Sequence, residues 1–180
     1  MGIRRTFQNL ELFREASVRE NVTLGLAYRY RASALSDFLD LPSAREMRRQ
    51  ANAEAAAIIQ SLGLTEVADV LVSELSYGLQ KSVEMARALA GQPALMLLDE
   101  PAAGMNPEES RRVAETVRRL RDDSGISILL VEHDMRVVMS ACDRIVVLDH
   151  GEKIAEGTPA DIRNSPAVIK AYLGEEAEHA

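Results

Sequence analysis

Two carboxylates, Asp99 and Glu100, follow directly on the apolar run from Ala94 to Leu98. An unbroken apolar run is typical of a strand that is buried on both faces. Open α/β sheets bind their ligands outside the carboxyl ends of such strands, and neighbouring residues there point to opposite faces. One acid can therefore coordinate a metal ion while the other orients a water molecule as a base. We interpret Asp99 as a candidate metal ligand and Glu100 as a candidate base; the alternative is an acidic turn that caps a neighbouring helix.

A histidine occupies the corresponding place after a second apolar run. Ser127 to Val131 predicts another buried strand, and Glu132, His133 and Asp134 follow it. Because the carboxyl ends of parallel strands meet at one edge of a sheet, we expect His133 beside the two carboxylates. A single histidine is weak evidence of function, so its position makes it a candidate. The other two histidines lie in a turn and in the tail, and we interpret both as solvated.

Further candidates lie at two predicted helix starts. Apolar residues at positions 79, 83, 85, 86, 89 and 90 predict a helix, which Ser76 and Gly78 open and Gly91 ends. The N–H groups at a helix start bind anions, and a glycine there lets the backbone approach a phosphate. Asn106 and Pro107 predict the cap and the first residue of the next helix. Ser76 and Asn106 can act as plain helix caps at the same time.

Other local patterns predict the elements around these candidates. Ser43 to Leu62 has the spacing of an amphipathic helix, and Ser43 with Glu46 predicts a capping box at its start. Arg144 to Leu148 and Lys153 to Glu156 predict the strands of a hairpin. We interpret Lys81 as part of a solvated helix face rather than as a phosphate ligand.

The composition limits the classes of function. The net charge of −7, the absence of tryptophan and an aromatic content of 4% argue against a nucleic-acid-binding surface. The single cysteine, Cys142, excludes an internal disulfide and a multi-cysteine zinc site. No apolar run approaches membrane-spanning length. We therefore expect a cytoplasmic protein that meets a membrane only through its partners.

Five stretches in order along the chain together resemble the motifs of ATP-binding-cassette (ABC) ATPases. RTFQN at the start is similar to the Q-loop, LSYGLQ to the signature motif, LMLLDEP to the Walker B strand, PAAGMNP to the D-loop and VEHD to the switch-histidine motif. The tyrosine in LSYG and the asparagine in PAAGMNP fit one subgroup. In these features the chain looks most like the ATPase subunit of branched-chain amino-acid importers of the LivG type.

The resemblance implies ATP and Mg²⁺ as ligands and gives the candidates roles. Glu100 and His133 would be catalytic, Asp99 and Gln8 would serve the metal ion, and Gln8, Ser76, Gly78 and Asn106 would bind nucleotide. Ser76 and Gly78 would act on ATP held by a second subunit. Leu79 departs from the glutamine of the common signature and removes the polar contact that glutamine would supply.

The resemblance also implies a fold and a division of the chain. We expect an α/β fold with a parallel sheet like that of P-loop NTPases, truncated at the N-terminus, and an all-helical subdomain. The expected parts are residues 1–20, the Q-loop end of the core; 21–75, the helical subdomain; 76–157, the core with the remaining motifs; and 158–180, the C-terminal helices and acidic tail. No GxxxxGK[ST] phosphate loop occurs in the sequence. We therefore expect the chain to match the C-terminal portion of the family, with Met1 left open as the natural start.

Three functions stay open at this point. The first is the ATP-hydrolysing subunit of an importer for branched-chain amino acids, working as a homo- or heterodimer with transmembrane permease subunits at the inner face of the cell membrane. The second, within the same family, is the ATPase of a lipid or lipopolysaccharide exporter. The third is a non-enzymatic or regulatory fragment. Without the phosphate loop we expect the chain to be inactive alone, so whether it is itself an enzyme is left open.

Overall fold

The computed structural model describes residues 2–5, 12–30 and 40–171. Its strands are β1 Ile3–Arg5, β2 Leu95–Asp99, β3 Ser127–Val131, β4 Ile145–Asp149 and β5 Glu152–Gly157. Its α-helices are α1 Val18–Leu26, α2 Pro42–Ser61, α3 Tyr77–Ala90, α4 Pro107–Ser124, α5 Met135–Ala141 and α6 Pro159–Arg163. Residues 166–171 are also helical, and short 3-10 turns lie at Thr65–Val67 and Val72–Glu74.

The first three strands form a parallel sheet in the order β1-β2-β3. The central strand β2 places Leu97 opposite Leu129 and Asp99 opposite Val131 of β3. Helices α1, α2 and α3 lie between β1 and β2 along the chain, and α4 lies between β2 and β3. Such helical crossovers are what parallel neighbours require. The α/β class with a parallel sheet, predicted from the sequence, is confirmed.

Among the described residues only one face of this sheet is covered, which corrects the prediction that both apolar runs are buried on both faces. Side chains alternate along a strand, and Met96 and Leu98 are 0% and 1% exposed on the side that packs against the helices. On the opposite side of β3, Leu129 and Val131 remain 57% and 56% exposed. The apolar run therefore correctly predicts a strand, but not how many of its faces are buried. No described residues form a layer over the other face of the sheet.

The core runs without a break from the helices to the sheet. One cluster joins buried residues of α1 and α2 to those of α3, β2 and α4. A second, smaller cluster joins Val138, Ile145, Ile162 and Val168, and so ties α5 to the β4–β5 hairpin and the last helical residues. The hairpin itself is antiparallel, as predicted, with an irregularity between Val147 and Leu148.

The segment predicted as a helical subdomain contains helices and turns where it is described. Within residues 21–30 and 40–75 lie most of α1, all of α2 and the two 3-10 turns, and the one strand-like contact is a single bridge between Ser17 and Leu71. Asn21 is fully buried and fixes the entry to α1, because its side-chain amide donates to the Phe13 and Ser17 carbonyls at 2.9 and 3.0 Å. In the part of the chain that the structure describes, no helix is long and apolar enough to cross a bilayer.

The predicted capping box at Ser43 and Glu46 is wrong. The cap of α2 is Leu41, no side chain caps it, and Pro42 is the first helical residue. Proline favours that position because its fixed φ suits the first turn and its missing N–H costs nothing there. The structure places a capping box on α1 instead, where Ser17 accepts from the Glu20 N–H and the Glu20 carboxylate accepts from the Ser17 N–H.

We expect Ser17→Ala to lower the free energy of unfolding by about 1 kcal/mol, because it removes the side-chain cap of α1. Ser43→Ala is the matched control, since the start of α2 has no side-chain cap, and we expect almost no change. Urea denaturation of both variants followed by circular dichroism measures the difference. Equal losses in the two variants would contradict this assignment of the caps.

Candidate functional site

The carboxyl ends of β2 and β3 bring the predicted acids and the histidine to one edge of the sheet. Asp99 is the last residue of β2 and pairs in register with Val131, the last residue of β3. The Glu100 N–H then donates to the Val131 carbonyl at 2.9 Å, which extends the contact between the strands by one residue. The two strand ends therefore hold the turns that follow them side by side.

Glu100 has an unusual backbone conformation. Its φ is +45°, in the left-handed region that non-glycine residues rarely adopt and that costs energy to hold. The hydrogen bond from its N–H to Val131 helps to keep it there. The chain leaves β2 at this residue and enters a turn over residues 101–104.

His133 lies next to Glu100. The distance from His133 Nδ1 to Glu100 Oε1 is 3.5 Å, and the two side chains are 73% and 32% exposed. An imidazole N–H is a donor that can contact an anion such as a phosphate oxygen. We name Asp99, Glu100, Glu132 and His133 the rim group. A carboxylate and an imidazole 3.5 Å apart can together orient a water molecule and contact an anion.

Glu132 is the member of the rim group that sequence reasoning missed. Its side chain is only 1% exposed. One oxygen accepts from the Ala102 N–H at 2.8 Å, and the other accepts from the His133 and Asp134 N–H groups at 2.9 and 3.3 Å. The signal in the sequence was an acid between a strand end and the candidate histidine, where free backbone N–H groups need an acceptor.

Asp134 anchors the far side of the same loop as the cap of α5. Its carboxylate accepts from the Arg136 N–H at 2.9 Å and forms an ion pair with the Arg136 guanidinium at 2.9 Å. The Arg136 side chain, helped by the backbone hydrogen bonds, lowers the pKa of Asp134 below its usual value. A carboxylate whose pKa is lower in the folded state stabilises the fold at pH values above its unfolded-state pKa. This contribution to stability is lost as the pH falls through the folded-state pKa.

We expect Asp134→Asn to flatten the acid dependence of stability without unfolding the protein. Asparagine can still cap α5, so the variant removes the charge alone. The difference should stay below about 1 kcal/mol at neutral pH, because Arg136 is largely exposed. Urea midpoints measured from pH 7 to pH 3 test this expectation, and the same pH dependence in both proteins would contradict it.

The remaining candidates meet at the starts of α3 and α4. Ser76 caps α3 by accepting from the Leu79 N–H at 3.4 Å. Asn106 caps α4 by accepting from the Glu108 and Glu109 N–H groups, both at 3.0 Å. A side chain added at Gly78 would come within 3.7 Å of Glu109. We name Ser76, Gly78, Asn106 and Glu109 the cap group. Gln8, the other predicted ligand, lies outside the described residues.

The start of α3 also corrects the interpretation of Lys81 as solvated. Lys81 is only 2% exposed and forms a buried ion pair with Glu84, Nζ to Oε2 at 3.3 Å. Its ammonium group also lies 5.9 Å from the centre of the Tyr77 ring. The helical period places positions 81 and 84 on the covered side of α3, and a buried charge requires such a partner. Leu79, the departure from the common signature, packs partly buried against the core.

The rim group could supply one or two carboxylate ligands to a metal ion, but not a full set. Across residues 2–5, 12–30 and 40–171, no three His, Cys, Asp or Glu side chains form a complete metal site. Magnesium bound with nucleotide needs only one or two protein carboxylates, because phosphate and water supply the other ligands. Asp99, half-buried at the end of β2, fits such a partial site.

Two family models match the chain, one over its N-terminal part and one near its C-terminus. The model of the ABC transporter family matches residues 1–103, and that of the branched-chain amino acid ATP-binding cassette transporter matches residues 152–178. The chain is 44% identical over 175 residues to the high-affinity branched-chain amino acid transport ATP-binding protein LivG of Escherichia coli K12. This match covers 97% of the chain and 69% of LivG.

Solved structures agree with these matches. An ATP-binding cassette of an ABC transporter in its ADP conformation has a TM-score of 0.73 and 32% identity, covering 96% of this chain and 68% of that one. A dimeric cassette in a post-hydrolysis state, bound to ADP and phosphate, has a TM-score of 0.65 and 25% identity, covering 88% and 63%. The chain therefore belongs to the ABC transporter family, as an ATP-binding cassette of the branched-chain amino-acid group.

Proposed function

We propose that the chain is the ATP-hydrolysing subunit of an importer for branched-chain amino acids. The observation that carries the proposal is the 3.5 Å approach of His133 to Glu100 at the ends of two parallel strands. The similarity to LivG, whose printed name specifies branched-chain amino acid transport, supports the class of substrate.

Three residues of the rim group can have different roles in ATP hydrolysis. Glu100 holds and deprotonates the attacking water, because its carboxylate is partly exposed beside a strand end. His133 donates an imidazole N–H to the terminal phosphate of ATP and keeps the water in line. Asp99 would hold the metal ion, directly or through water. Bound magnesium would offset the negative charge of the phosphates during transfer.

The cap group would serve a nucleotide held by a second subunit. Ser76 and Tyr77 are exposed at the start of α3, where the helix dipole and free N–H groups favour a phosphate. The structural likeness to a cassette solved as a dimer with ADP and phosphate supports this arrangement. In the proposed dimer, Gln8 would add a metal contact and Asn106 would lie at the subunit interface.

A groove between α1 and α2 offers a surface for the membrane permease subunits. It encloses about 710 Å³, and its lining includes Leu24, Ala27 and Met47 together with Arg19 and Arg48. Phe13, also in the lining, is 59% exposed. An apolar surface with charged residues at its border is typical of a contact between proteins. Movement of this helical region on ATP binding would then reach the membrane subunits.

A chimaera tests the proposal as a whole. In this chimaera the chain replaces the matching 175 residues of E. coli LivG, so that LivG supplies the sequence that the chain does not cover. We expect the chimaera to hydrolyse ATP and to restore leucine uptake to a strain that lacks LivG. ATP hydrolysis without uptake would contradict the importer assignment, and a folded chimaera without hydrolysis would contradict the enzymatic one.

The second candidate function is a module that does not itself hydrolyse ATP. It concerns these 180 residues by themselves, which span 69% of LivG and contain no GxxxxGK[ST] loop, whose N–H groups and lysine hold the phosphates in P-loop enzymes. Such a chain can still offer Ser76 and Gly78 to the ATP of a complete partner. Calorimetry of the chain with Mg-ATP distinguishes the two, since micromolar affinity would contradict the second candidate.

A further inference from the structure

The turns that follow β2 and β3 are joined by one buried side chain. Glu132 lies in the turn after β3, and its Oε1 reaches across to the Ala102 N–H at 2.8 Å in the turn after β2. Its Oε2 accepts from the His133 and Asp134 N–H groups of its own turn. Each carboxylate oxygen therefore serves a different turn, and the two turns carry Glu100 and His133.

The burial of this carboxylate makes the link strong. The Glu132 side chain is 1% exposed, and a buried charge is held only where polar partners compensate for the lost water. Three backbone N–H groups provide that compensation here. Hydrogen bonds to a charged acceptor are about twice as strong as neutral ones. A relative shift of the two turns would break at least one of these bonds and leave a buried charge short of partners.

We propose that Glu132 is a positioning residue that fixes Glu100 and His133 relative to one another. The inference rests on the proposed hydrolytic role of the rim group. Glu132 does not contact the water or the phosphate in this scheme; it acts through the two turns. Its carboxylate also lies 3.7 Å from His133 Nδ1, the ring atom that faces Glu100.

Amide hydrogen exchange of the chain itself tests the link without requiring turnover. In Glu132→Ala we expect the Ala102 and His133 N–H groups to exchange at least about tenfold faster, because each loses a bond to a charged acceptor. The Val117 amide inside α4 reports whether the fold is intact. Glu115→Gln, a change on the exposed face of α4, is the control and should leave Ala102 and His133 unchanged.

Glu132→Gln keeps the test decisive if the alanine variant does not fold. Glutamine has one acceptor oxygen and a donor NH₂ group, so it can serve one turn but not both. We expect faster exchange in at least one of the two turns. Faster exchange confined to His133 and Asp134 in Glu132→Ala, or no change anywhere in Glu132→Gln, would overturn the inference, because Glu132 would then be a local cap of its own turn.

Kinetics of the LivG chimaera separate positioning from a purely structural role. We expect Glu132→Gln to lower kcat about tenfold or more, since small misplacements of catalytic groups are costly, while KM for ATP stays within about twofold because Glu132 does not contact the nucleotide. An unchanged kcat would overturn the positioning role and leave the proposed function standing. If the unmutated chimaera failed to hydrolyse ATP, the proposed function would fall, and the exchange data would still decide whether the link exists.

Discussion

Glu100→Gln in the LivG chimaera is expected to lower ATP turnover by about 10²- to 10⁴-fold, the usual contribution of a general base. Glutamine has nearly the same shape as glutamate, so the left-handed backbone at position 100 and its bond to Val131 should persist. The amide cannot accept the proton of the attacking water. Single-turnover hydrolysis of radiolabelled ATP measures the chemical step, and equilibrium binding of labelled ATP reports whether nucleotide still binds.

The control for this variant is Glu115→Gln. Glu115 lies on the exposed face of α4, where it pairs with Arg111, and surface ion pairs of this kind contribute little to stability. We expect its turnover to match that of the unmutated chimaera. Turnover in Glu100→Gln that equals the control would refute the assignment of Glu100 as the base, and a loss of ATP binding would point to a structural role instead.

Leu98→Ala is expected to lower the free energy of unfolding by about 2–5 kcal/mol. Leu98 is 1% exposed and lies on the side of β2 that packs against the helices. Truncation removes buried apolar surface and leaves a cavity that a close-packed core fills only in part. Equilibrium denaturation in urea measures the loss, provided that the slope of the transition stays unchanged.

Leu129→Ala is the matched control on the neighbouring strand. Leu129 is paired with Leu97 but its side chain is 57% exposed on the open side of the sheet. Because this truncation leaves no cavity, it should lower the free energy of unfolding by less than about 1 kcal/mol. If the two substitutions destabilised the chain equally, the sheet would be covered on both sides, and the one-sided arrangement described above would be wrong.

Local sequence patterns predicted most of the elements that position the rim group. The apolar runs before Asp99 and before Glu132 are both strands, as predicted. Asn106 with Pro107 and Ser76 start helices as predicted, since a cap depends on only three or four neighbouring residues. Once two neighbouring strands are predicted to be parallel, their carboxyl ends are also predicted to lie at the same edge of the sheet.

What the sequence could not predict depends on contacts between distant segments. An apolar run does not reveal whether one or both faces of its strand are covered, and Leu129 shows that one face is open. The burial of Lys81 depends on how α3 is rotated against the core. The role of Glu132 depends on Ala102, which lies thirty residues away along the chain. The wrong cap at Ser43 has a local cause instead, because Pro42 takes the first helical position.

The central claim is that Glu100 and His133 act together at one edge of the sheet, and a double-mutant cycle on ATP turnover tests it most directly. Glu100→Gln, His133→Ala and the double variant are compared in the LivG chimaera by single-turnover kinetics. Residues that act as a unit give strongly non-additive losses. We predict that the double variant is about as slow as the slower single variant. Losses that multiply, so that the double variant is slower by the product of the two single effects, would contradict the claim.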